Sequence, residues 1–171
     1  MAVSLENIPQ IPLVDDQRLR PVIDLVATSL NQERFEAAAT AVLAELASQF
    51  GCNSCSYGVI EKGHCVVQAA SHTASLDSRM NLSRLTAQAM DEAVEQDSTL
   101  LYPAPKKSAR RVTHTHAELA KHSKAGTICT FPVNHNGVLV GAVLLEHPAQ
   151  GAFDTSAVET GESIVALVGP I

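Results

Sequence analysis

Two cysteines in the first third of the chain have the spacing of a chemical site. Cys52 and Cys55 form a C-x-x-C motif, which occurs in thiol redox pairs and in zinc sites. Zinc needs four ligands, and no second C-x-x-C or paired-histidine motif accompanies this one. A redox pair of the thioredoxin kind opens a helix, whereas this pair lies where a predicted helix ends and a strand begins. We therefore expect buried or half-buried thiols, and Cys65 and Cys129, inside predicted strands, should also behave as small hydrophobic residues.

Three histidines, His114, His116 and His122, suggest metal ligation. On a strand, His114 and His116 would point to the same side, but on a helix their directions differ by about 200°. Glu118 lies nearby in sequence, yet no motif supplies the remaining ligands. The pattern favours solvated or helix-capping histidines, so we predict no metal site.

A basic run, Lys106, Lys107, Arg110 and Arg111, interrupts an otherwise acidic chain. Such a run is usually a solvated loop. The alternative is a role in holding a carboxylate or phosphate, for which the planar guanidinium of arginine is well suited. No nucleophile with its base and acid, no glycine-rich phosphate loop and no paired carboxylates can be assembled from the other residues. We therefore predict no catalytic residues, no enzymatic activity and no cofactor.

The composition is that of a globular domain. The 171 residues are 46% hydrophobic and 18% charged, with a formal net charge of −6. A nucleic-acid-binding surface needs concentrated basic charge, which this balance argues against. No stretch reaches the roughly 18–20 apolar residues of a membrane span, and the first residues lack the features of a secretion signal. Four cysteines in a chain of this size do not make a disulfide scaffold, which favours a reducing setting, so we expect a cytoplasmic domain without direct membrane contact.

The two ends of the sequence suggest a domain within a longer chain. Residues 1–16 contain Pro9 and Pro12 and no clear period, which predicts an arm or linker before a domain at 17–171. The last predicted helix is followed by only three residues. We therefore expect an effector domain or a membrane segment beyond Ile171.

Hydrophobic periodicity predicts the order helix-helix-β-β-helix-β-helix-β-β-helix. Adjacent strands joined by hairpins favour an antiparallel sheet with helices around it, an α+β architecture. The predicted elements are helices at residues 19–30, between Asn31 and Gly51, at 82–94, near 116–123 and from Ser156 onward, with strands at 55–61, 65–70, 99–102 and on both sides of Asn136-Gly137.

A set of features in the second half of the chain carries a resemblance to a known family. In order, they are Phe131-Pro132-Val133, the Asn136-Gly137 turn, Val140-Gly141-Ala142-Val143 and Phe153. This series resembles the C-terminal half of a GAF domain, a sensor module of bacterial signalling proteins, and the resemblance extends over residues 19–168. It also accommodates Pro132, which is otherwise unexpected within a strand. The resemblance implies a PAS/profilin-like fold, with a central antiparallel sheet of five or six strands flanked by helices.

The resemblance further implies a sensory or regulatory domain that binds a small molecule and performs no chemistry. Its ligand cavity would lie above the sheet, closed by residues 99–123. The candidate lining residues are Tyr57, Tyr102, Arg111, His114, Leu119, Cys129 and Phe131.

Several known GAF ligands are disfavoured by the sequence. His64-Cys65 reverses the order of a bilin-attaching pair, and Ala157-Val158 stands where cyclic-nucleotide binders carry an acidic pair. The low content of aromatic residues argues against haem. The sequence therefore does not identify the ligand.

Apolar stripes on the first and last predicted helices predict a homodimer. Gly161, in the last helix, is expected to allow close approach to a neighbour. The expected assembly is a parallel homodimer through residues 19–30 and 156–168, with the ligand cavity on the opposite side of the sheet.

Two alternatives remain open. A redox enzyme resembling free methionine sulfoxide reductase would need an accessible cysteine of low pKa and a second cysteine to resolve it. A structural or dimerisation module would need no ligand. In addition, Leu167-Val168-Gly169-Pro170 resembles the cytoplasmic GAF segment found ahead of a membrane helix in periplasmic adaptor (membrane-fusion) proteins of bacterial efflux systems.

Overall fold

The computed structural model describes residues 35–71, 76–106 and 111–168. The order of its elements agrees with the predicted order from the second helix onward. The predicted arm and the predicted helix at 19–30 lie outside the described residues. The elements are helices α1 (Phe35–Phe50), α2 (Leu76–Glu95), α3 (His114–Ser123) and α4 (Thr155–Val168), and strands β1 (Ser54–Glu61), β2 (His64–Ala70), β3 (Leu100–Tyr102), β4 (Thr127–His135) and β5 (Val138–His147). Among these helices, none has the length and apolar content needed to span a membrane.

The five strands form one antiparallel sheet in the order β2-β1-β5-β4-β3, which confirms the predicted α+β class. Asn136 and Gly137 join β4 to β5 with φ angles of 52° and 80°, as a tight hairpin turn requires. Pro132 lies opposite Ala142 of β5, but the pairing of β4 with β3 reaches only as far as Thr130, opposite Leu100, the first residue of β3. No described strand therefore continues the ladder past Pro132 on that side, and a residue without an N–H is tolerated there.

Alternation along the strands directs side chains to two hydrophobic clusters, one on each face of the sheet. One face packs against α1 and α4, and the other against α2 and α3. In β4, Cys129 and Phe131 belong to the α1/α4 face, whereas Ile128 belongs to the α2/α3 face. The face of a side chain therefore decides which pair of helices it can reach.

Gly161 makes its close contact within the protein, which corrects the expectation that it serves a neighbour. A Cβ atom at this position would overlap the ring of Phe131 and lie 2.9 Å from its Cε1 atom. Ile164 and Val165 of the same helix are also buried in the core, while Leu167 is 53% exposed. The apolar stripe of α4 thus mainly covers the sheet of its own chain, and homodimer formation stays a prediction.

Gly161→Ala should destabilise the protein although alanine favours helices by about 1 kcal/mol over glycine. The added methyl group meets the Phe131 ring, and overpacking of a core usually costs about 1–3 kcal/mol. Urea unfolding of Gly161→Ala, Phe131→Leu and the double variant measures the coupling between the two sites. Ala166→Gly, at an exposed position of α4, measures helix propensity alone. A Gly161→Ala protein more stable than the parent would contradict this packing.

Candidate functional site

Three of the seven predicted lining residues lie away from α2 and α3. Tyr57 of β1 and Cys129 and Phe131 of β4 all belong to the cluster beneath α1 and α4. Successive side chains of a strand point to opposite faces of the sheet, so these three point away from the face that Ile128 occupies. They cannot line a cavity closed by α3, so the prediction of one cavity bordered by all seven residues is wrong.

The other four predicted residues lie on or beside the α2/α3 face. Leu119 is fully buried in the cluster beneath α2 and α3, and Tyr102 packs against the same cluster. Arg111 and His114 are exposed near the start of α3. Whether any of these four contacts a ligand stays a prediction.

A carboxylate from α2 caps the N-terminus of α3. Thr113, the N-cap residue of α3, makes no side-chain capping bond. Instead, Glu92 Oε1 accepts the backbone N–H of Thr115 at 3.1 Å, and Oε2 accepts that of His116 at 3.2 Å. These N–H groups form the positive end of the helix dipole, so a carboxylate is well placed to satisfy them.

His116 connects this cap to the sheet. Its ring is fully buried, with Nδ1 at 2.6 Å from Glu92 Oε2 and Nε2 at 2.8 Å from Oγ1 of Thr130 in β4. Nδ1 donates to the carboxylate, and in the neutral ring Nε2 accepts from the Thr130 hydroxyl. Both ring nitrogens are thereby satisfied, and α2, α3 and β4 are tied together.

Glu92 is held in its charged form. Burial alone would raise the pKa of its carboxyl group. The hydrogen bond with the His116 ring and those from the backbone N–H groups of Thr115 and His116 outweigh burial and lower this pKa.

Gln96, one turn after Glu92, fixes the segment that leads into α3. Its Nε2 donates to the carbonyl of Val112 at 2.9 Å, and its Oε1 accepts the N–H of Val112 at 3.0 Å. We refer to Glu92, Gln96, His116 and Thr130 together as the α3 clamp.

The clamp corrects the interpretation of the histidines. His114 and His122 are exposed as expected, but His116 is buried in the core. No local signal identifies its partner, because Glu92 precedes it by 24 positions. Within residues 35–71, 76–106 and 111–168, no three His, Cys, Asp or Glu side chains are grouped to hold a metal ion.

A second buried carboxyl group on the α2/α3 face is less well compensated. Glu146 of β5 is 8% exposed, and its regular pairing with β1 places it on the same side as Ala142 and Leu144. Burial raises the pKa of Glu146, and the nearby Ser123 hydroxyl opposes this rise. In the part of the chain that the structure describes, no cationic side chain pairs with Glu146. We refer to these residues as the Glu146–Ser123 pair.

The four cysteines are free thiols, buried or half-buried as expected. Cys55 and Cys129 both lie opposite Leu145, one on each side of β5, so about 10 Å separates them, too far for a disulfide. Cys65 lies on the other face of the sheet. Burial is the main cause that raises the pKa of Cys52 and of Cys65 to about 12, and it raises the pKa of Cys55 and Cys129 as well.

The sequence matches the family model of the GAF domain over residues 34–170. The chain belongs to the GAF domain family. No curated protein is significantly similar to it in sequence.

Solved GAF-type structures share the fold at low sequence identity. The GAF domain of Acinetobacter phosphoenolpyruvate-protein phosphotransferase is 9% identical, with a TM-score of 0.67 over 92% of this chain and 93% of that one. The phycocyanobilin-bound GAF domain of a cyanobacterial phytochrome is 15% identical, with a TM-score of 0.65 over 92% and 94%. The free methionine-R-sulfoxide reductase of Neisseria meningitidis, in complex with its substrate, is 10% identical, with a TM-score of 0.63 over 92% and 90%.

Replacing the two buried glutamates by glutamine should change stability in opposite directions at neutral pH. The lowered pKa of Glu92 stabilises the fold above the unfolded-state pKa, about 4.3, and this contribution is lost as pH falls through the folded-state value. The raised pKa of Glu146 lowers stability as pH rises from about 4.3 through its folded-state value. At about pH 7, Glu92→Gln should therefore cost about 1–3 kcal/mol, whereas Glu146→Gln should stabilise.

Urea unfolding at about pH 7 and about pH 3 measures both effects. Glu118→Gln, on the exposed side of α3, is the matched control and should change little. A destabilising Glu146→Gln at neutral pH would show that the carboxylate has a stabilising partner, contrary to the site described here.

Proposed function

We propose that this GAF domain is a non-enzymatic sensory or regulatory module that binds a small molecule on its α2/α3 face, at the Glu146–Ser123 pair. The observation that carries the proposal is the burial of Glu146 without a cationic partner in the described residues. A buried carboxyl group in this setting lowers stability, and binding sites are where such groups are retained.

The chemistry of the pair specifies the ligand it would accept. A carboxyl oxygen and a hydroxyl oxygen both accept hydrogen bonds, so the ligand should present N–H donors. An ammonium group would also offset the charge of Glu146. Ile128 lies opposite Glu146 in the sheet, and it belongs with Leu144 to the apolar cluster of this face. We therefore propose a small amine with an apolar body.

The similarity to signalling proteins supports a sensory role. Besides the phytochrome domain, which binds phycocyanobilin, the fold matches a domain of a putative two-component sensor histidine kinase from Sinorhizobium meliloti, 14% identical with a TM-score of 0.58. These ligands and activities belong to those proteins. For this chain they support membership in a family of sensors.

The properties of the thiols support a non-enzymatic role over the redox alternative. Reaction with a sulfoxide needs an accessible thiolate, and burial raises the pKa of all four cysteines. The similarity to the methionine-R-sulfoxide reductase extends to the fold alone at 10% identity.

The parent protein, the cellular location and the oligomeric state of the domain stay predictions. The adaptor-protein context inferred from residues 167–170 gains no support from the similar proteins, and 169–170 lie outside the described residues. The cytoplasmic location and the effector or membrane segment beyond Ile171 are likewise predictions. Homodimer formation through the terminal helices is part of the proposal, and light scattering of the parent and of Val22→Glu tests it.

A thermal-shift comparison of three probes with the same carbon chain tests the ligand class. n-Butylamine should raise the melting temperature, while n-butanol and butyrate should not, because only the amine carries a cationic donor. The effect should disappear in Glu146→Gln and persist in Glu118→Gln. Equal shifts by amine and carboxylate, or an amine effect that survives Glu146→Gln, would contradict the proposed site. Failure of all three probes would favour the ligand-free structural module.

A further inference from the structure

We propose that Ser56 of β1 and Thr86 of α2 form a hydroxyl subsite beside Glu146, and that the ligand is an amino alcohol. Its ammonium group meets Glu146, and its hydroxyl group meets Ser56 and Thr86. The proposal rests on the proposed function in taking Glu146 as the contact of the amine. It adds the second polar group of the ligand and the two residues that select this group.

The two hydroxyl groups are buried without a partner in the described part of the chain. Ser56 is 5% exposed and Thr86 is 6% exposed, and neither side chain makes a hydrogen bond with a described residue. Buried hydroxyl groups are usually hydrogen-bonded, and one without a partner lowers stability. Neither of the two oxygen atoms is fully enclosed, so a small molecule can reach them.

The sheet places Ser56 on the face that carries Glu146. Tyr57, the next residue of β1, packs against the cluster beneath α1 and α4, so Ser56 points to the α2/α3 face. Ser56 lies opposite Leu144 of β5, and Glu146 follows two residues later on the same side. Residues in this diagonal arrangement are about 7–8 Å apart. A ligand with polar groups at the two ends of a short chain can therefore reach both.

The course of α2 brings Thr86 to the same end of β1. The helix starts soon after β2 ends at Ala70, and Ala70 pairs with Ser56. The later part of the helix reaches the opposite end of β2, where Asp91 accepts the backbone N–H of Cys65 at 2.6 Å. The helix α2 therefore runs in the same direction as β1.

The contact between Met90 and Gly58 fixes the level of Thr86 along β1. A Cβ atom at Gly58 would lie 2.6 Å from Met90 Sδ, so helix and strand are in direct contact there. Thr86 lies about 6 Å before Met90 along the helix, and Ser56 lies about 7 Å before Gly58 along the strand. The side chain of Thr86 is shorter than that of Met90, so it leaves space above Ser56.

The chemistry of the hydroxyl subsite selects a neutral polar group. A ligand hydroxyl can donate one hydrogen bond and accept others, so it can complement both Ser56 and Thr86. A ligand carboxylate is disfavoured, because no cationic side chain pairs with Glu146 among the described residues and a second negative charge nearby would be repelled. The ligand is therefore an amino alcohol rather than an amino acid.

Calorimetric titration with three amines of the same carbon chain tests the subsite. 4-Aminobutanol should bind the parent about five-fold more tightly than n-butylamine, the gain expected of one net hydrogen bond, and 4-aminobutyrate should bind more weakly than either. Ser56→Ala and Thr86→Val should each lower the affinity for 4-aminobutanol towards that for n-butylamine, which should itself stay unchanged. Ser83→Ala removes an exposed hydroxyl group from the same helix and is the matched control.

The melting temperature of the protein without ligand gives a second readout. Because the Thr86 hydroxyl has no partner, Thr86→Val should raise the melting temperature, whereas Ser83→Ala should change it little. A lower melting temperature of Thr86→Val would show that the hydroxyl has a partner within the protein and would overturn the subsite. Equal affinities of the parent for 4-aminobutanol and n-butylamine, or a preference that survives both substitutions, would overturn it as well.

The dependence on Glu146 separates this proposal from the function on which it rests. If Glu146→Gln abolishes binding of n-butylamine but the hydroxyl group of 4-aminobutanol adds no affinity, the amine site stands and the hydroxyl subsite fails. If binding of 4-aminobutanol depends on Ser56 and Thr86 but not on Glu146, the proposed function fails and the hydroxyl subsite stands. A parent protein that binds neither ligand overturns both.

Discussion

The carboxylate of Glu92 is the group on which the arrangement of the α2/α3 face depends. It accepts the N–H groups that the N-cap residue Thr113 leaves without a side-chain partner, and it orients the His116 ring towards Thr130. Removal of this one acceptor would leave buried donors unpaired in three places, each an expensive defect. The placement of the start of α3 over the sheet follows from this contact.

The two buried glutamates of this face differ in how well the protein stabilises their charged forms. Glu92 is surrounded by donors and contributes stability as a carboxylate. Glu146 is buried to a similar extent but is faced chiefly by a single hydroxyl, that of Ser123, so its charged form is disfavoured. One glutamate therefore stabilises the fold as a carboxylate, while the other has no cationic partner among the described residues.

Local patterns predicted most of the fold but little of the candidate site. The Asn136-Gly137 turn and the apolar periods predicted the hairpins and helices, and the alternation of Ile128 with Cys129 already implied that these side chains face opposite ways. Which face α3 covers was not predictable locally, so Cys129 and Phe131 were assigned to the wrong side. Contacts such as Gly161 with Phe131 and His116 with Glu92 join residues far apart in sequence, and no period of a helix or strand reports them. Glu146 lies two residues after Leu144 in the same strand and therefore points to the same face, a signal that could have identified it as buried.

The most direct test of this account is the pKa of Glu146, measured by carbon-13 NMR with and without saturating n-butylamine. If Glu146 anchors an amine, the ammonium group should favour the carboxylate, and the pKa should fall on binding. The shift should be absent with n-butanol. An amine that binds, as judged by the melting temperature, yet leaves the pKa of Glu146 unchanged would contradict the central claim.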